Sequence, residues 1–106
     1  MDAWIGIDLD GTLAYYDHWR GADHIGEPVP KMLAFVQDLI RQGHKCKLFT
    51  ARASIPSQIP VIQAYLDKLQ LPMEITCMKD YGMMMLYDDR CTQVEKNTGR
   101  LIIDKV

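Results

Sequence analysis

The sequence predicts an α/β domain on a mainly parallel sheet, and three observations carry that prediction. Short β-rich apolar runs alternate with two stretches of helical periodicity, the pattern of strands joined by crossover helices. The first apolar run ends in a turn dense in carboxylates, as a buried strand does when it delivers polar groups to its C-terminal end. The chain's 106 residues suit one compact domain and leave no room for two, and no repeat or low-complexity tract divides them.

The elements follow in order. Ala3-Trp4-Ile5-Gly6-Ile7 with Leu9 reads as the first strand, closed by Asp8-Leu9-Asp10-Gly11-Thr12. Residues 14–30 contain Gly21, Gly26 and Pro28 before Pro30, together with Tyr15, Tyr16, His18 and Trp19, and predict a flap carrying aromatic side chains. From Pro30 the period changes: Met32, Leu33, Val36, Leu39 and Ile40 fall at helical spacing, with Pro30 in the first turn and Gly43 as C-terminal cap. Lys45–Phe49 is the second strand, ending in Thr50-Ala51-Arg52. Ser57 is positioned to cap a second helix with Val61, Ile62, Tyr65, Leu66 and Leu69 on one face, stopped by Pro72. Glu74–Cys77, Met84–Tyr87 and Leu101–Ile103 complete about five strands. Only six residues, Met78 to Met83, separate the third from the fourth, too few for a crossover helix, so either a bare loop joins them or one of the two lies outside the parallel sheet.

Composition limits the function. Twelve basic against fourteen acidic residues give a net charge of −2, without the clustered Lys and Arg of a nucleic-acid or membrane surface. The apolar run Met83–Tyr87 falls far short of a membrane span, and the N-terminus lacks the marks of a signal peptide. Cys46, Cys77 and Cys91 cannot all pair and show no CxxC spacing. The expectation is a cytoplasmic protein of a reducing compartment.

Sites on a parallel α/β sheet form beyond the carboxyl ends of its strands. The residues there are Asp8 and Asp10, Thr50, Lys79, and Asp88 and Asp89. Crowded carboxylates repel one another unless a cation joins them, and oxygen-only ligands beside a phosphate suit Mg²⁺. Thr50 and Lys79 are the hydroxyl donor and point charge a phosphoryl oxygen needs. An ionised Asp can attack phosphorus while a second Asp protonates the leaving oxygen. Arg52, Trp19 and His18 are candidate substrate contacts. A calcium loop is excluded, because aligning Gly11 with the glycine of such a loop puts Gly6 at its first ligand.

Asp8-Leu9-Asp10-Gly11-Thr12, Thr50, Lys79 and Asp88-Asp89 resemble, in order, the four motifs of the haloacid dehalogenase superfamily of phosphohydrolases, and they span most of the chain. The resemblance implies a single three-layer Rossmann-like domain, here without a cap domain. It makes Asp8 the nucleophile and Asp10 the general acid/base. Asp8, the backbone carbonyl of Asp10, Asp88 and Asp89 would hold Mg²⁺, while Thr50, Lys79 and backbone N–H groups near Gly11 would hold the phosphoryl group. The expected partner is a phosphorylated substrate, a nucleotide, sugar phosphate or nucleic-acid end. A phosphotransferase and a phosphate- or metal-binding protein are the alternatives. A signalling receiver domain fits less well, because its phospho-acceptor and acidic pair lie on different strands.

Overall fold

The computed structural model describes residues 2–103. Strand β1 (Trp4–Ile7) is followed by helix α1 (Pro30–Arg41), strand β2 (Cys46–Phe49), two short 3₁₀ turns (Ala51–Ser54 and Pro56–Gln58) and helix α2 (Ile59–Leu69). Strands β3 (Glu74–Thr76), β4 (Met83–Tyr87), β5 (Gln93–Val94) and β6 (Leu101–Ile102) follow. The main sheet has four parallel strands in the order β3-β2-β1-β4. The expected fifth strand forms, but as β6 it pairs antiparallel with β5 in a separate hairpin. Two-residue strands bury too little to join the sheet on their own account.

The expected three layers are two. Ile5 and Ile7 of β1 and their partners Cys46 and Leu48 of β2 share one buried cluster with Val36 of α1 and Ile62 and Leu66 of α2. Because strand side chains alternate, Trp4, Gly6, Lys47 and Phe49 project from the opposite face. The physical reason lies in topology. From β1 through β2 to β3 the chain steps in one direction, and right-handed crossovers then place both helices on the same side. The return from β3 to β4, across the width of the sheet, is residues 77–82 with no helix. That strap is pinned where Asp80 Oδ1 accepts from Trp4 Nε1 at 2.7 Å, with Lys47 Nζ lying 4.7 Å from the Trp4 ring.

Both helices begin with proline in the first turn and end in a Schellman-type closure. After α1, Gly43 (φ +92°) donates to Ile40 and His44 to Leu39. After α2, Gln70 holds the same left-handed conformation (φ 57°), with Leu71 donating to Leu66. Ser57 does not cap α2 as expected; it sits inside the second 3₁₀ turn, and Gln58 precedes the helix. Among the described residues no helix is long and apolar enough to cross a membrane.

Candidate functional site

The carboxyl ends of β1, β2 and β4 open on one cavity of about 490 Å³. Adjacent parallel strands bring their ends to one rim, so Asp8 after β1 meets Asp88 and Asp89 after β4, with Thr50 after β2 beside them. Oxygens of Asp8, Asp88 and Asp89 all lie within 4.8 Å of one another. Thr12 ties the group together: its Oγ1 stands 3.1 Å from Asp8 Oδ2 and from Asp89 Oδ1 and accepts the Asp89 N–H at 3.0 Å. Gly11 (φ +91°) holds a left-handed conformation that strains any other residue, and a Cβ there would also press on the Asp89 carboxylate, 2.6 Å from Oδ2.

This crowding shows in Asp8. Burial, its hydrogen bond with Asp89 and the neighbouring charge of Asp88 push its carboxyl up to about 7 from 3.8, against the opposing hydrogen bond from Thr12. Three hard oxygen donors, no nitrogen or sulfur ligand among them, and a carboxylate strained by like charge fit a small divalent cation such as Mg²⁺.

Asp10 stands apart from that group. Its two carboxylate oxygens accept from Arg52 Nε at 2.8 Å and Nη2 at 2.9 Å, and Arg52 is only 8% exposed. The same guanidinium donates to the carbonyls of His24 (2.9 Å) and Ala22 (3.4 Å), and its carbon lies 4.9 Å from the Trp19 ring centroid. Arg52 thus fastens the 14–30 flap to the site instead of reaching out to a substrate. The flap is strapped at other points as well. Tyr65 of α2 donates to the Gly26 carbonyl, Tyr15 N–H to Glu27, and Val29 N–H to Leu13. Gly26 cannot carry a side chain, because a Cβ would strike the Tyr15 carbonyl oxygen.

The remaining expected residues divide. Thr50 is 3% exposed and its Oγ1 accepts from the Arg52 N–H, which leaves the hydroxyl proton available. Trp19 lines the cavity; His18 faces a smaller adjoining one and sits against Asp17. The Gly11 N–H is engaged by the Ala14 carbonyl at 2.8 Å and is not free for a phosphate. Lys79 lies exposed on the strap, lining a different cavity of about 1040 Å³ with β4 and the hairpin. With no helix between β3 and β4, nothing carries it to the Asp8 cavity. Two polar lining residues were not expected as contacts: Arg90, next to the acidic pair, and Gln58, whose buried Oε1 has no hydrogen-bond partner among the described residues. No protein-family model, curated protein or solved structure matches the chain.

Proposed function

We propose that the chain is a Mg²⁺-dependent phosphomonoester hydrolase of the haloacid dehalogenase type, acting through an aspartyl-phosphate on Asp8. The observation that carries this reading is the meeting of Asp8 with Asp88 and Asp89 at one cavity, Thr50 beside them. The residues that would hold the metal are Asp8, Asp88 and Asp89, with the Asp10 carbonyl implied by the resemblance. When bound, Mg²⁺ keeps neighbouring carboxylates ionised and offsets charge on a phosphoryl group.

In this reading an Asp8 oxygen attacks phosphorus, the ester P–O bond breaks, and the leaving oxygen takes a proton from Asp10. Water then attacks the aspartyl-phosphate, returns a proton to Asp10 and frees Asp8 and inorganic phosphate. Thr50 donates to a phosphoryl oxygen, and Arg52 orients both oxygens of Asp10. Substrates are phosphomonoesters of nucleotides, nucleic-acid ends or sugars. Two observations favour the alternative, a phosphate- or metal-binding protein with little turnover: Lys79 lines another cavity, and Asp10 is engaged in an ion pair.

Hydrolysis of an aryl phosphate separates the two. The expected outcome is Mg²⁺-dependent turnover, with Asp8→Asn, which keeps shape but loses charge, reducing kcat by more than about a thousandfold. Activity surviving Asp8→Asn overturns the covalent mechanism. Mg²⁺ binding without turnover on nucleotides, sugar phosphates and DNA ends establishes the alternative.

A further inference from the structure

Gln58 closes the 3₁₀ turn before α2, and only 6% of it is exposed. Its Oε1 is buried without a partner among the described residues, yet the residue lines the Asp8 cavity. An unpaired buried acceptor is costly and uncommon in a native fold, so a lining residue that keeps one points to a bound partner. A half-turn of the carboxamide exchanges its oxygen and its NH₂, so the group can meet either a donor or an acceptor.

Large, partly exposed side chains line the same cavity. Trp19 is 56% exposed, Ile55 52% and Tyr16 45%, an unusual set of large side chains to present at one cavity. The Arg52 guanidinium lies over the Trp19 ring and fixes its pose, while most of the residue remains open. A carbohydrate ring would bring several hydroxyls to a wall that offers one carboxamide. A nucleic-acid strand would need a basic track, whereas the cavity offers Arg90 and an Arg52 already engaged with Asp10.

We infer that the leaving-group half of the cavity is a nucleobase site for a mononucleotide, in which the base stacks on Trp19 and its polar edge pairs with the carboxamide of Gln58. This rests on the phosphatase reading above. It makes Gln58 and Trp19 specificity-determining residues, distinct from the carboxylates that carry the chemistry.

The test compares kcat/KM, with Mg²⁺ present, for the four ribonucleoside 5′-monophosphates, ribose 5-phosphate and an aryl phosphate. The best nucleotide is expected to exceed ribose 5-phosphate by about a hundredfold, from one stacking and one hydrogen-bonding contact of about tenfold each. Gln58→Met and Trp19→Leu should each lower that ratio about tenfold, mainly through KM. Gln58→Met removes an unpaired acceptor and Trp19→Leu alters an exposed side chain, so both leave the fold intact. A ratio near one, or a ratio neither variant changes, overturns the base site while leaving the phosphatase reading standing. Stronger preference for a 5′-phosphorylated oligonucleotide than for any mononucleotide overturns the ligand class. If no substrate is hydrolysed, the phosphatase reading has failed, and tryptophan fluorescence decides separately. Saturable quenching by a mononucleotide, lost in Trp19→Leu, upholds the base site; its absence overturns it.

Discussion

Asp8 carries two demands that conflict unless a cation is present. As the proposed nucleophile it must be ionised at working pH, yet burial, Asp89 and Asp88 hold this carboxyl up to about 7. A divalent ion among the three carboxylates reverses the sign of that environment, so the proton and the metal compete for the same oxygens. In the proposed reaction the phosphoryl group needs a cation of its own. Lys79 lines another cavity and Arg52 is paired with Asp10, whereas Arg90 lines the acidic cavity and makes no ion pair among the described residues. Arg90→Ala is therefore expected to lower kcat/KM on an aryl phosphate by about ten- to a hundredfold, the worth of one charge-assisted contact. Lys79→Ala should cost much less, and steady-state kinetics on both variants checks the order; the reverse order returns the role to Lys79. The carboxylates were legible in the sequence because strand ends of a parallel sheet converge by topology alone. The partnership of Arg52 with Asp10, 42 residues apart, and the orphaned amide of Gln58 were not, since neither leaves a period or a spacing to read.

At the scale of elements, the flap is held by side chains of the neighbouring structure and not by its own hydrogen bonds alone. Arg52 is its main fastening, bonded to two flap carbonyls and to Asp10 while itself almost wholly buried. Removing one partner of a buried pair leaves the other charge uncompensated, which costs about 3–5 kcal/mol. Asp10 keeps 24% of its side chain exposed, so Arg52→Ala should fall at the low end, about 3 kcal/mol by denaturant unfolding. A loss under about 1 kcal/mol would show that the flap stands without this fastening. The helix ends offer a change in the other direction. Gln70 adopts at α2 the left-handed conformation that Gly43 adopts at α1, and a side chain there is strained. Gln70→Gly is expected to raise stability by roughly 0.5–1 kcal/mol, the relieved strain exceeding the added freedom of the unfolded chain. The same urea melts measure it, and a decrease would mean that the Gln70 side chain contributes contacts worth more than its strain. The helices themselves were legible from period, proline and glycine; the start of α2 was not, because proline at 56 and 60 makes a 3₁₀ turn where a cap at Ser57 was expected.

For the molecule as a whole, the missing helix between β3 and β4 shapes both faces of the sheet. One face carries α1, α2 and the core; the other carries no helix among the described residues and is crossed by the strap at 77–82, which shares a cavity with β4 and the hairpin. The six-residue gap was visible in the sequence, but two resolutions fitted it, a bare loop within the parallel sheet or a strand outside it. The structure takes the first, since β4 pairs parallel with β1, in register from Met85 to Tyr87 after an irregularity at Met84, and so brings Asp88 and Asp89 to Asp8. This convergence links global stability to protons and to metal. Without a cation, Asp8 titrates near 7 in the fold against 3.8 as its ordinary value, so its protonated form favours folding. That contribution is full below about pH 4 and is lost as pH rises through 7. The unscreened difference corresponds to about 4 kcal/mol, and because Asp8 is only partly buried, solvent reduces it to the order of 1–2 kcal/mol. The metal-free melting temperature should therefore fall between pH 5 and 8, apart from other groups, and Asp8→Asn should remove that part of the slope. Mg²⁺ at about a hundred times its dissociation constant should add about 2.7 kcal/mol, raising Tm by roughly 10 °C or more in a domain of this size. The gain must grow with pH, because the ion displaces a proton that is already leaving by pH 8. Thermal melts of wild type and Asp88→Asn at pH 5.5 and 8, with Mg²⁺ or with EDTA, measure all of this. Equal Mg²⁺ shifts in both proteins, or a shift larger at pH 5.5, would place the ion somewhere other than among these three carboxylates.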